Sequence, residues 1–254
     1  MSFNVFACTF LDGADLARLV FQLINTCLPT LLEGSLDDLL QKPDLDWSDP
    51  LLKLATDVAR GMRYLHMRRF YDEERGEEQS TVIHRDLKPD NVLLLALELG
   101  RVHCKLADFG LSRFADMSRA ANMTEMVGSP LYMAPEILRH EKYDARADLW
   151  SVGTILYELL YGAPPFTASN PMALLKVIES NDSKQGLFPA EKVVSKECIE
   201  FLRLLLVTRP NKRLSTRKFF SHDYVNLAPD PDIHKEGSDS SMLRELYSVV
   251  EHPS

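Results

Sequence analysis

The stretch VIHRDLKPDN, residues 82 to 91, crowds a carboxylate, an ammonium and a carboxamide into a few positions. Asp86 offers a carboxylate that can orient a hydroxyl and accept its proton. Lys88 offers an ammonium suited to a phosphate oxygen. Asn91 and, in ADFG (107 to 110), Asp108 supply hard oxygen atoms of the kind Mg²⁺ takes while keeping its other positions for water and phosphate. Together they suit phosphoryl transfer, where the protein does little covalent work and mainly holds phosphate, hydroxyl and cations in line. Any one motif alone is weak, since an isolated HRD is as readily a capped loop and an isolated Asp-Phe-Gly an ordinary turn.

Those side chains need elements to position them. Residues 51 to 65, LLKLATDVARGMRYL, carry apolar side chains at 51, 54, 55, 58, 62 and 65, the spacing of one face of an amphipathic helix. The charged stretch MRRFYDEERGEEQS (67 to 80) reads as a solvated loop. NVLLL and VHCKLAD flank a turn near Gly100 and predict a hairpin. From 147, ADLWSVGTILYELLYG is apolar nearly all round, the pattern of a helix at the centre of a helical domain. MALLKVIES (172 to 180) and ECIEFLRLLLV (197 to 207) continue the helical pattern, with turn signals APP and TRPN between and after them. Beyond residue 228 the composition shifts to Pro, Asp and Ser before SMLRELYSVVEH (241 to 252) regains helical periodicity.

Bulk properties narrow the partners. A formal charge of -8 argues against nucleic acid, because phosphate neutralisation needs clustered Lys and Arg. Cys8, Cys27, Cys104 and Cys198 form no CxxC pair, so reduced thiols in a cytoplasmic setting are expected rather than structural zinc or a disulfide framework. The N-terminus lacks a basic leader region and has acids at Asp12 and Asp15. The most apolar stretch, 19 to 32, is too short to span a bilayer and contains Gln22, Asn25 and Pro29, so no membrane partner is expected.

In order the chain reads IHRDLKPDN, ADFG, GSPLYMAPE (128 to 136), DLWSVG (148 to 153) and NKR (211 to 213). With these motifs it resembles the large lobe of a eukaryotic protein kinase, from about residue 30 to 225. The resemblance implies an α+β, predominantly α, kinase-like fold, mainly the helical C-lobe. It divides the chain into an atypical remnant (1–28), a kinase domain of hinge and C-lobe (29–226), and a polar linker with a C-terminal helix (227–254). ATP and Mg²⁺ are the implied cofactors and a protein the implied substrate. Asp86 is then the base, Lys88 the γ-phosphate contact, and Asn91 and Asp108 the Mg²⁺ ligands. Leu93 becomes the floor under the adenine, with hinge backbone near Thr30 to Leu32 beside it. Lys88 within HRDLKPDN looks like a Ser/Thr kinase, and Ser129 sits where such kinases hydrogen-bond the catalytic Asp and Lys. By the same resemblance, Glu136 and Arg213 form a buried ion pair, Asp148 braces the catalytic loop, and His84 and Phe109 are internal packing. LLEGSLDDLL followed by WSDPLLKLATDVARGMRYLH resembles tyrosine-kinase-like Ser/Thr kinases, whereas GSPLYMAPEIL and YDARADLWSVGTILYELLYGAPPF are closer to autophagy-type and calcium/calmodulin-type kinases.

A regulatory expectation follows. Arg85 precedes the base, as in kinases whose activation loop is ordered by an anion. Four residues before Ser129 stands Glu125, a partial substitute for a phosphate, with Thr124 adjacent as the alternative phosphosite.

Two departures from the family pattern stand out. If LLEGSLDDLL is the hinge, the segment before it has no GxGxxG and no lysine, the first being Lys42, so the small β lobe is expected to be truncated or absent. Loss of one preorganised electrostatic donor costs about 10²–10³ in rate, so low activity is expected of the chain alone. Three explanations stand open: a truncated or misassembled product of an ordinary kinase, an inactive pseudokinase scaffold or interaction module, and a site completed by an unconventional front, whether its own or a partner's. The second departure is the insert at 67–81, which is either a surface loop or, like the 241–252 helix, a docking site for a partner.

Overall fold

A computed structural model describes residues 32–41, 50–67, 69–72, 77–95, 103–114, 126–181, 187–189 and 194–225. The expected remnant at 1–28, Thr30, Thr124, Glu125 and the 241–252 helix lie outside the described residues. The first described element, strand β1 (Leu32–Ser35), turns directly into the short helix α1 (Leu36–Leu40). The turn is held locally. Asp38 Oδ2 accepts from the Ser35 amide at 2.7 Å and the Ser35 hydroxyl at 3.0 Å, while Ser35 Oγ accepts from the Asp38 amide at 3.3 Å. That reciprocal pattern satisfies helix-start donors in the manner of a capping box. Gly34 makes room for it: at φ +110 a Cβ would stand 2.6 Å from Asp38 Oδ2.

The predicted amphipathic helix is α2 (Pro50–Met67). It buries Leu54, Ala55, Val58, Ala59, Met62 and Leu65, and each large apolar side chain so buried contributes about 1.5–3 kcal/mol. The predicted hairpin is also present, as antiparallel β5 (Val92–Leu95) and β6 (His103–Leu106), in a register that opposes Val92 to Leu106 and Leu95 to His103. β1 adds to the free edge of β5, giving the sheet order β1-β5-β6.

The stretch at 67–80 departs from expectation. In place of a loop it forms antiparallel β2 (Arg69–Asp72) and β3 (Glu77–Ser80), with Arg69 opposite Ser80 and Asp72 opposite Glu77. Its charges suggested solvation, but Phe70 and Tyr71 favour extended backbone, and cross-strand pairing satisfies the main-chain polar groups.

Two further two-residue strands frame the catalytic loop: β4 (Val82–Ile83) pairs antiparallel with β7 (Arg113–Phe114). The helical half comprises α3 (Pro135–Leu138), α4 (Arg146–Tyr161), α5 (Pro171–Ser180), α6 (Lys196–Leu205) and α7 (Thr216–Phe220). Asn170, Ser195 and Ser215 cap α5, α6 and α7, each side-chain oxygen accepting from the amide three residues on. As its sequence predicts, α4 is buried on nearly every side. One face joins α2, α6 and the β5–β6 hairpin around Leu149, Val152, Leu202 and Phe201. The other meets α3 and α5 around Trp150, Tyr157 and Leu174, with the Trp150 ring stacked on Phe166 at 5.9 Å. Because α4 is shared by both clusters, anything anchored to it is anchored to the whole core. Among the described residues no helix is long and apolar enough to cross a membrane.

Candidate active site

The loop between β4 and β5 is fixed from below by Asp148, in the first turn of α4. Asp148 Oδ2 accepts from the His84 amide at 2.8 Å, Oδ1 accepts from the Arg85 amide at 3.0 Å, and His66 Nε2 lies 2.8 Å from Oδ2. Burial alone would push this carboxyl up, yet the His66 contact, the neighbouring histidines and the Arg85 amide hold it below the usual carboxylate range. A buried charge is thereby spent on holding two consecutive peptides. This is the brace that the sequence assigned to Asp148.

His84 is fully enclosed. Its Nε2 sits 3.0 Å from the Ala107 carbonyl, and a carbonyl can only accept, so Nε2 carries the proton. Nδ1 in turn accepts from the Asp86 amide at 3.4 Å, which requires the ring to be neutral. The ring packs on Phe109 at 5.0 Å between centroids. Burial accordingly pushes the His84 pKa below histidine's ordinary 6.5. The unfolded chain therefore binds a proton that the folded chain refuses. This contribution to stability is complete above pH 6.5 and is lost as pH falls from there towards the folded value, by at most about 1.4 kcal/mol per pH unit. Thermal denaturation across that window should show a shallower pH slope for His84→Gln than for the parent; equal slopes would refute the assignment.

At Asp86, Oδ1 accepts from the Ser129 amide at 2.8 Å and Oδ2 accepts from Asn91 Nδ2 at 3.3 Å, with Lys88 Nζ 3.9 Å away. Of the expected Ser129 contacts to Asp86 and Lys88, the one to Asp86 is made, by the main-chain amide of Ser129, which sits in extended backbone at the head of the Pro130–Tyr132 turn. The neighbouring Gly128 is what lets that amide approach. At φ +104, a Cβ there would stand 2.5 Å from the Arg85 carbonyl and 3.1 Å from Asp86 Oδ1. Gly128→Ala should therefore displace the amide and lower kcat by about tenfold or more at nearly unchanged KM for ATP, whereas unchanged kinetics would mean that the amide is not needed.

Asn91 closes the loop. Its Nδ2 donates to the Asp86 carbonyl at 2.8 Å, which leaves its Oδ1 as the oxygen available to a cation. The Ala107 amide donates to the Asn91 carbonyl at 2.9 Å, bringing Asp108, the next residue, to the same end of the β5–β6 hairpin. Asp108 is exposed at φ 58, and its Oδ1 accepts from the Gly110 amide at 3.2 Å. Among the described residues no group of three or more His, Cys, Asp or Glu side chains forms a closed metal cage. One amide oxygen beside one exposed carboxylate is a donor set that fits Mg²⁺, which keeps most of its positions for water and phosphate. Leu93 is half-buried in β5, opposite Ser35 of β1 and Lys105 of β6, and Leu32 is opposite Leu95. This brings the expected adenine floor beside the expected hinge.

Glu136 and Arg213 form the buried pair expected of them: Nη1 to Oε1 at 2.7 Å and Nη2 to Oε2 at 2.9 Å. Arg85 is buried and donates from Nε to the Leu111 carbonyl and from Nη1 to the Tyr143 hydroxyl at 3.2 Å. Three contributors escaped the sequence reading. Gly128 has no side chain to signal its role, and His66 and Tyr143 lie far along the chain from Asp148 and Arg85.

Residues 22–225 match the family described as protein kinase domain. The chain is 36% identical over 253 residues to serine/threonine-protein kinase ATG1 of Sclerotinia sclerotiorum, covering 86% of this chain and 26% of that protein. It is 34% identical over 221 residues to human serine/threonine-protein kinase ULK3, covering 81% of this chain and 46% of that one. A match to ATG1 of Pyricularia oryzae reaches 41% over 173 residues, 58% of this chain and 17% of the relative. The chain thus spans between a quarter and a half of the length of the first two relatives. The expectation that the small lobe is missing finds no support in these matches. The braced loop, the gripped carboxylate and the buried Glu136–Arg213 pair fall inside the matched residues, and the chain belongs to the protein kinase family.

Proposed function

We propose that the chain is the catalytic domain of a protein serine/threonine kinase that transfers the γ-phosphate of ATP to hydroxyl groups of a protein. The observation that carries this is the grip on Asp86: one oxygen fixed by the Ser129 amide at 2.8 Å, the other beside Asn91 and Lys88. A carboxylate held so can orient a substrate hydroxyl and take its proton as the oxygen attacks. Lys88, with its ammonium 3.9 Å from Asp86, would follow the phosphoryl group. Asn91 Oδ1 and the Asp108 carboxylate would hold Mg²⁺, which when bound neutralises charge on the phosphates. Leu93 and the β1 backbone would bound the adenine. The relatives' names, serine/threonine-protein kinase, support the choice of hydroxyl. The retained side chains favour an enzyme over a scaffold, since scaffolding requires none of them.

The test is transfer of labelled γ-phosphate from Mg-ATP to dephosphorylated casein by the purified chain, followed by phosphoamino-acid analysis. Phosphoserine or phosphothreonine, abolished by omitting Mg²⁺, is the expected result. Phosphotyrosine alone, or no transfer beside a flat thermal shift with Mg-ATP, overturns the proposal.

A further inference from the structure

Four segments meet at Arg85. Its amide is held by Asp148 Oδ1 at 3.0 Å, and its carbonyl lies against Gly128, close enough that a Cβ there would approach to 2.5 Å. Its guanidinium joins the Leu111 carbonyl, just past Asp108-Phe109-Gly110, to the Tyr143 hydroxyl at 3.2 Å. The backbone at Arg85 adopts φ 71, a region that a residue with a long side chain occupies only when its surroundings over-determine it. The next residue is Asp86. The orientation of the peptide that carries the base is therefore set partly by where the Arg85 side chain is held.

Tyr143 is 3% exposed, on the segment between α3 and α4 and 58 residues beyond Arg85. We infer that Tyr143 is a positioning residue for phosphoryl transfer: its hydroxyl fixes the Arg85 guanidinium and, through it, the peptide that presents Asp86. Part of the hold on Arg85 thus comes from a neutral group built into the fold, and that part needs no anion from the activation segment. Tyr143 touches no reacting atom and acts only through Arg85. As a role in catalysis this rests on the kinase reading above, whereas the effect on the loop does not.

Tyr143→Phe keeps the buried ring and deletes only the hydroxyl. It should lower kcat for casein phosphorylation about tenfold, leave KM for ATP within about twofold, and speed amide hydrogen exchange across residues 84–91 without speeding it in α4. Arg85→Gln combined with Tyr143→Phe should be no slower than Arg85→Gln alone, because both act on one contact. Unchanged kcat and loop exchange in Tyr143→Phe, exchange that rises equally in α4, or losses that multiply in the double variant would each overturn the inference. If the parent chain transfers no phosphate and shows no thermal shift with Mg-ATP, the kinase reading fails, and the exchange comparison alone decides whether Tyr143 holds the loop.

Discussion

Replacing Asp86 with Asn is expected to lower kcat by about 10²–10⁴-fold with little change in KM for ATP, which is the scale of a lost general base. The substitution isolates charge from shape. An amide oxygen can still accept from the Ser129 amide at 2.8 Å, so the loop should keep its place. At the other oxygen an NH₂ would face the Asn91 Nδ2 donor at 3.3 Å and the Lys88 ammonium at 3.9 Å, where a carboxylate now accepts. The Lys88 contact cannot account for a large effect, because a partly exposed pair of this length is worth at most about 1 kcal/mol, roughly fivefold. A loss beyond that must come from proton transfer and orientation of the hydroxyl. Steady-state kinetics with a thermal melt on the same sample decide the matter. A loss below tenfold at unchanged melting temperature would strip Asp86 of its role as base.

What could be read from the sequence follows from how locally each role is determined. Asp86, Lys88 and Asn91 were legible because the chemistry demands those atom types within one short loop, although Asp148 and the Ser129 amide, both distant along the chain, hold that loop in place. Helix α2 was legible from its helical periodicity, the β5–β6 hairpin from two apolar runs around a turn, and α4 from an apolar run with no polar face. Gly128 was missed because its role is an atom it lacks, visible only once the Arg85 carbonyl is known to lie where a Cβ would be. The position of Ser129 was legible from its motif, but which of its atoms grips Asp86 was not, because the amide that does so is set by the backbone path. His66 and Tyr143 act across 82 and 58 residues, distances along the chain over which spacing carries no signal. The β2–β3 hairpin was hidden because its many charged residues suggested solvation, whereas its main chain pairs in register.

Arg213→Ala is expected to cost about 3–5 kcal/mol, a large part of the roughly 5–15 kcal/mol that stabilises a typical domain. The guanidinium bonds both Glu136 oxygens at 2.7 and 2.9 Å, the Arg146 carbonyl at 2.7 Å and the Val207 carbonyl at 3.0 Å, and lies 5.3 Å from the centre of the Trp150 ring. Removing it leaves Glu136, 1% exposed, as an uncompensated charge beside a cavity and two orphaned carbonyls. For a chain of this size the melting temperature should fall by about 6–20 °C. The pair itself need not be a net source of stability, since desolvating two charges consumes most of what their attraction returns. The combined variant Arg213→Met with Glu136→Leu separates the two effects and should recover most of the lost stability. It should not recover activity. Glu136 lies in α3, just after the Gly128–Met133 segment whose Ser129 amide grips Asp86, and Arg213 ties it to the start of α4 by also bonding the Arg146 carbonyl. A stable double variant with full kcat would reduce the pair to packing; a stable one with kcat down tenfold or more would show that it holds the substrate-side segment in register with the base.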